Sequence, residues 1–248
     1  MTLKVGRCGA IPSRVDPRTV KCKAVLSTLT TAQPALRVPP FAYDARPAGN
    51  RWRMYGNDVY GCCTFAGIVR IMQNNAKRRG QPFVVDDADV VNAYLDLTNG
   101  EDVGAMPINA LNYMRNVGIK GHKVLAFARV DDHDVNERQS AMKTFGSLYV
   151  AAALPAKLDE DHDLRMELTP KEKRTKNDEP ASLGRHAYAS FGYQNGEEFT
   201  VMWNQENIEE MDWINYYREE NWAFIDNGEI DQALLDAMQA QLSAIKAS

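Results

Sequence analysis

Apolar residues recur at helical spacing in the first half of the chain and in strand-length runs in the second. From Cys63 onward, Phe65, Ile68, Ile71 and Met72 fall on one face, and Lys77, Arg78, Arg79 and Gly80 supply a C-terminal stop. That spacing predicts a buried helix. Asp86 to Leu97 reads as a second helix. Pro107 to Val117 reads as a third, with Ala110, Leu111 and Met114 inward and Gly118 as its stop. Strand-like stretches follow at Val124 to Val130, Leu148 to Leu154, His186 to Tyr193 and Glu198 to Trp203. The last two flank Gln194-Asn195-Gly196-Glu197, and Asn-Gly is the pair that a tight hairpin turn with two positive φ angles prefers. Helices grouped before strands predict an α+β chain rather than alternating βαβ units. The helical part is expected over 51–120, the β part over 121–226 and a C-terminal helix over 228–246.

Composition sharpens this picture in three places. At 248 residues, 44% hydrophobic and 25% charged, the chain is long enough to bury a sizeable core. The net charge of −4 hides an asymmetry: residues 1–50 carry eight Lys/Arg against two Asp, and the rest is acidic. Six of the eleven prolines (Pro12, Pro17, Pro34, Pro39, Pro40, Pro47) also fall in that arm, so it is expected to be extended rather than helical. It reads as a strap for an acidic surface, on this body or on a partner. The segment Lys157 to Pro180, with 14 charged residues in 24, is expected to be a solvated loop with two turns of frayed helix.

Several function classes fall away. No run approaches the length of a membrane span, and the start lacks the apolar stretch of a signal peptide, so no membrane partner and a cytoplasmic location are expected. The basic charge is modest and not interleaved with aromatics, which argues against nucleic acid. No Cys or His pair recurs with ligand spacing, so neither a metal nor another cofactor is expected. Cys62 and Cys63 are adjacent while Cys8 and Cys22 lie in the arm, a pattern of free thiols rather than of a disulfide scaffold.

The chemistry concentrates at Tyr55-Gly-Asn-Asp-Val-Tyr-Gly-Cys-Cys-Thr-Phe-Ala66. A thiol at a helix N-terminus meets unpaired N–H groups and the positive end of the helix dipole, which favour thiolate, so Cys63 is placed to be a nucleophile. Further along, His186 begins one strand of the hairpin and Asn204 ends its return partner. If the two side chains meet, the amide fixes the imidazole tautomer and leaves the other ring nitrogen for the thiol. His133 and His162 lie among carboxylates and read as solvated surface residues, and His122 has no comparable setting.

At these residues the sequence resembles the papain-like cysteine peptidases. The features are a Gly, a small residue and Cys63 before an apolar helix, then His186-Ala187 with Gly192-Tyr193 six residues on, then a strand ending in Asn204. By position Asn57, six residues before Cys63, stands for the glutamine that donates to the oxyanion, an interval that favours Cys63 over the adjacent Cys62, the alternative nucleophile. A closer resemblance is to uncharacterised bacterial and phage proteins that share Asp16-Pro-Arg-Thr19, Tyr55-Gly-Asn-Asp58, Phe145-Gly-Ser-Leu-Tyr-Val150, His186-Ala187 and a Trp-rich segment around Trp213. The resemblance implies a papain-like fold with a helical lobe and a β-barrel lobe. It also implies a hydrolase of peptide or isopeptide bonds using Cys63, His186, Asn204 and Asn57, or an acyl transferase if an amine replaces water. The departures are Cys62 for an acid, Thr64 for an aromatic, and Arg185 for a glycine before the histidine, where a cation would hold back imidazolium formation. They leave an alternative: a phage virion structural or adaptor protein on a papain-like fold, its site inactive and its arm bound to other virion subunits.

Overall fold

In the computed structural model, which describes residues 5–14, 16–32, 38–161, 164–228 and 231–247, helices and strands mix in one α+β body. The chain forms α1 (Cys22–Ala32), β1 (Ala42–Asp44), α2 (Cys63–Arg78), α3 (Asp87–Leu97), α4 (Pro107–Asn116), β2 (Val124–Val130) and α5 (Val135–Phe145). It continues with β3 (Leu148–Leu154), α6 (Lys157–Asp161), β4 (Arg165–Met166), β5 (Gly184–Gln194) and β6 (Glu197–Met202). The last elements are β7 (Gln205–Glu210), α7 (Met211–Tyr217), β8 (Arg218–Asp226) and α8 (Gln232–Ala247). Among the described residues the strands make a single sheet in the order β2-β8-β3-β5-β6-β7-β4, with β1 added against β5 and β4 pairing parallel to β7.

Alternation along the strands divides the core in two. On β3, Leu148, Val150, Ala152 and Leu154 join one apolar cluster with residues of α1, α5, α7 and α8, whereas Tyr149 and Ala151 join the other with residues of α2, α3 and α4. Both faces being covered, β3 is buried at every position, which is why its sequence reads as a continuous apolar run. The helix α2 lies against this sheet. A Cβ on Gly67 would sit 2.9 Å from the Tyr149 ring, and the Tyr149 hydroxyl donates to the Thr64 carbonyl at 3.0 Å. Glycine at 67 thus lets helix and sheet approach, and the hydrogen bond fixes the end of α2 that carries Cys63.

The helices and strands expected between Cys63 and Trp203 stand within two residues of their predicted bounds, whereas the C-terminal helix, expected over 228–246, spans Gln232–Ala247. Asp86 caps α3 through a reciprocal pair with Asp89, and Asn195 and Gly196 turn the β5–β6 hairpin with φ of 52° and 80°. The arm differs. It contains α1, because its prolines flank a stretch from Arg18 to Ala32 that has none, and Cys22, Val25, Leu26 and Leu29 recur there at helical spacing and are buried. The segment after β3 also holds more order than a solvated loop. Arg165 reaches Glu197 and Glu210, and buried Asp178 accepts from Thr169 and Thr175. His162 lies outside the described residues, and His133 is exposed. Among the described residues no helix is long and apolar enough to cross a membrane.

Candidate active site

The N-terminus of α2 delivers Cys63 to the base of a groove between two backbone walls. One wall is the loop carrying Asn57 and Gly61 together with Gly104 and Ala105; the other is Gly184, Arg185 and His186 of β5 with Trp203. Along the groove lies the chain's own arm. Arg7 N–H donates to the Asn57 carbonyl at 2.7 Å, and Gly9 and Ala10 N–H both donate to the Arg185 carbonyl at 3.1 and 3.0 Å. On the other side Ala105 N–H donates to the Gly9 carbonyl and Ile11 N–H to the Ala105 carbonyl, each at 2.9 Å. The arm expected to strap an acidic surface therefore passes through the body's own groove. Among its described residues there, Arg7 stands 3.8 Å from Asp102.

Occupation buries the chemistry. Cys63 is wholly buried, and burial pushes its thiol up to about 11, even though the backbones of Ala187, Gly9, Thr64 and Cys63 itself pull it back. The other thiols stand higher. Burial puts Cys8 at about 12, with the nearby Cys63 adding to the rise, and takes Cys62 and Cys22 further up still. Cys62 turns away from the groove and donates to the Tyr55 carbonyl at 3.5 Å. Of the adjacent pair, only Cys63 faces the arm and β5.

His186 stacks on Trp203 at a ring separation of 4.6 Å and is buried, with neither ring nitrogen hydrogen-bonded among the described residues. Burial first, and then the Arg70 guanidinium, push it down to about 3, while the Arg7 backbone, outside hydrogen-bond geometry, pulls the other way. Under the arm the pair is thus neutral thiol and neutral imidazole. The repelling cation is Arg70, seven residues along α2 from Cys63, and not Arg185. Arg185 is neutralised by a two-pronged pair with Glu219 at 2.8 and 3.0 Å. Arg70 itself is buried, bonds the carbonyls of Arg53 and Trp203, and is lowered to about 10 by burial. A charge inside the run Gly67-Ile-Val-Arg-Ile-Met72 was the sequence signal for it.

Asn57 is buried, and its Nδ2 donates to the Arg7 carbonyl at 2.8 Å and to the Tyr60 carbonyl at 3.0 Å. Its amide thus already holds a peptide carbonyl in the groove. Asn204 is placed differently from the expectation. Trp203 takes a positive φ of 50°, which ends β6 at Met202, and Asn204 is exposed in the turn to β7, leaving His186 without an amide partner. The indole of Trp203, rather than Asn204, packs on the imidazole.

No family model and no curated protein matches this sequence. Solved structures do. The chain is similar to xylellain, a cysteine protease from Xylella fastidiosa, with a TM-score of 0.66 and 14% identity over 90% of this chain and 98% of that one. It is also similar to digestive procathepsin L 3 of the Tenebrio molitor larval midgut, with a TM-score of 0.52 and 14% identity over 76% and 73% of the two chains. A third likeness is to the cysteine protease and lectin-like domains of Cwp84, a surface-layer-associated protein of Clostridium difficile, with a TM-score of 0.51 and 9% identity over 83% and 60%. At these identities the likeness establishes the papain-like fold.

Proposed function

We propose that this papain-like chain is a cysteine hydrolase acting on peptide or isopeptide bonds, with Cys63 as nucleophile and His186 as its base. The observation that carries the reading is the seating of a peptide in the groove: the Arg7 carbonyl on the Asn57 amide, and Gly9 beside the Cys63 thiol, which also meets the backbone of Ala187, the neighbour of His186 on β5. A substrate following the same groove meets a donor, a nucleophile and a base in turn.

In the reaction, His186 takes the Cys63 proton as sulfur bonds to the substrate carbonyl carbon. The Asn57 amide and the Cys63 backbone N–H receive the oxyanion. Collapse breaks the C–N bond, His186 returns the proton to the leaving amine, and water, with its proton taken by His186, then cleaves the thioester to give the acid and the free thiol. Trp203 orients the imidazole by stacking, the part otherwise taken by an amide. For this chemistry the arm has to leave, since access of water lowers the thiol and raises the imidazole from their covered values.

An epoxide inhibitor tests the assignment. It is expected to label Cys63 and no other thiol, and Cys63→Ala is expected to abolish both labelling and peptidase activity. Labelling or turnover that persists in Cys63→Ala contradicts it.

A further inference from the structure

At Gly9 the groove is closed on the arm by backbone rather than by side chains, and this restricts what can lie over the thiol. A Cβ on Gly9 would stand 1.9 Å from the Gly61 carbonyl oxygen, 2.5 Å from its carbonyl carbon and 2.6 Å from its Cα. Those atoms belong to the turn that leads into α2, and Gly61 N–H is itself held by the Asp102 carboxylate at 2.9 Å. They have no rotamer by which to withdraw. On the same wall, Gly104 has φ of +78°, and a Cβ there would come within 2.4 Å of the Gly9 carbonyl oxygen. The same tightness recurs three residues earlier, where a Cβ on Gly6 would lie 2.4 Å from Trp203 Cδ1 and 2.6 Å from the Asn57 carbonyl oxygen.

Elsewhere along the groove the arm carries side chains: Arg7 is largely exposed, Cys8 packs where Gly184 leaves room for it, and Ala10 beyond the thiol is half-buried. Main-chain bonds to Arg185 and Ala105 grip residue 9 from both sides, so the chain cannot shift outward to make room without losing them.

The geometry points to a glycine-selecting slot over Cys63, so that the substrates of this site are chains presenting glycine there, as in glycine-rich peptides or glycyl isopeptides. This rests on the hydrolase reading for its consequence, although the slot itself can be measured without turnover. A side chain at the slot position has to push backbone aside, as at an overpacked site. The corresponding loss of binding is about tenfold or greater.

The test uses the full chain with the arm weakened, as Gly9→Val, or as Arg7→Glu in case the first variant folds poorly. Alkylation of Cys63 by iodoacetamide is followed by mass spectrometry in the presence of a synthetic peptide of residues 5–13 with serine in place of Cys8. We expect this peptide to protect Cys63, and the same peptide with alanine at the Gly9 position to need about tenfold higher concentration. Alanine at the Arg7 position is expected to change little. Equal protection by the glycine and alanine peptides, or no protection by either, overturns the slot. The hydrolase reading fails separately, through labelling or turnover that does not depend on Cys63.

Discussion

Two buried polar clusters in this molecule have opposite character. Beneath the β5–β6–β7 face, Arg138, Glu198, Arg218 and Glu209 are wholly buried, and every charge is answered. Arg138 meets Glu198 at 3.0 Å, Arg218 meets Glu198 and Glu209 at 2.6 Å each, and Ser190 and Thr200 fill further carboxylate positions at 2.9 and 3.1 Å. At the groove, His186 is equally buried and both its nitrogens lack partners among the described residues, while Cys63 is held as a neutral thiol. Burial is common to both clusters; satisfaction is not. A paired network holds one arrangement of strands, whereas an unpaired imidazole costs stability wherever it is covered and gains when the cover leaves.

Breaking the network is therefore expected to have the largest effect on folding. Glu198→Ala leaves Arg138 and Arg218 buried without a shared carboxylate and is expected to cost about 3–5 kcal/mol, measured as a fall in the urea midpoint. A loss under 1 kcal/mol would place the network's charges in water and erase the contrast. The groove responds instead to pH. The folded pKa of His186 is depressed from 6.5 to about 3, so the unfolded chain binds the extra proton between those values, and the fold loses stability as pH falls through that window. The slope is about 1.4 kcal/mol per pH unit at most, and His186→Asn is expected to flatten it in unfolding curves taken from pH 7 to pH 4. Because departure of the arm relieves the same burial, Cys63 alkylation, normalised to a free thiol, is expected to quicken over the same fall in pH. A smaller change is expected from Arg70→Met. Removing the second cause of the depression raises the His186 titration midpoint by less than burial lowers it, which an NMR titration of the imidazole detects.

The contrast also explains what was legible beforehand. Periodicity located α2, α3, α4, β2, β3 and the β5–β6 hairpin, because each carries a local pattern that its packing then uses. The placement of Cys63 at the start of a helix and of His186 near the start of a strand was legible because each position follows from the local pattern around it. Asn204 was not placed, since the positive φ of Trp203 that turns it to solvent is a tertiary outcome for a bulky residue. The helix α1 was hidden because prolines stand on both sides of it, at Pro12, Pro17 and Pro34, so that the arm's average composition masks the proline-free stretch between them. The arm's passage through the groove left a trace in Gly6 and Gly9, but glycines in an irregular segment specify a close approach without naming what approaches.

The central claim is that Cys63 and His186 form a working pair covered by the arm. It is tested most directly by the rate of epoxide inactivation at pH 6, read by mass spectrometry at each cysteine, in the natural chain, in Gly9→Val and in Gly9→Val with His186→Ala. The account predicts slow labelling confined to Cys63 in the natural chain, labelling about tenfold or more faster in Gly9→Val, and loss of that gain when His186 is removed. Labelling that falls on Cys8 or Cys62, or that is indifferent to His186, would contradict it.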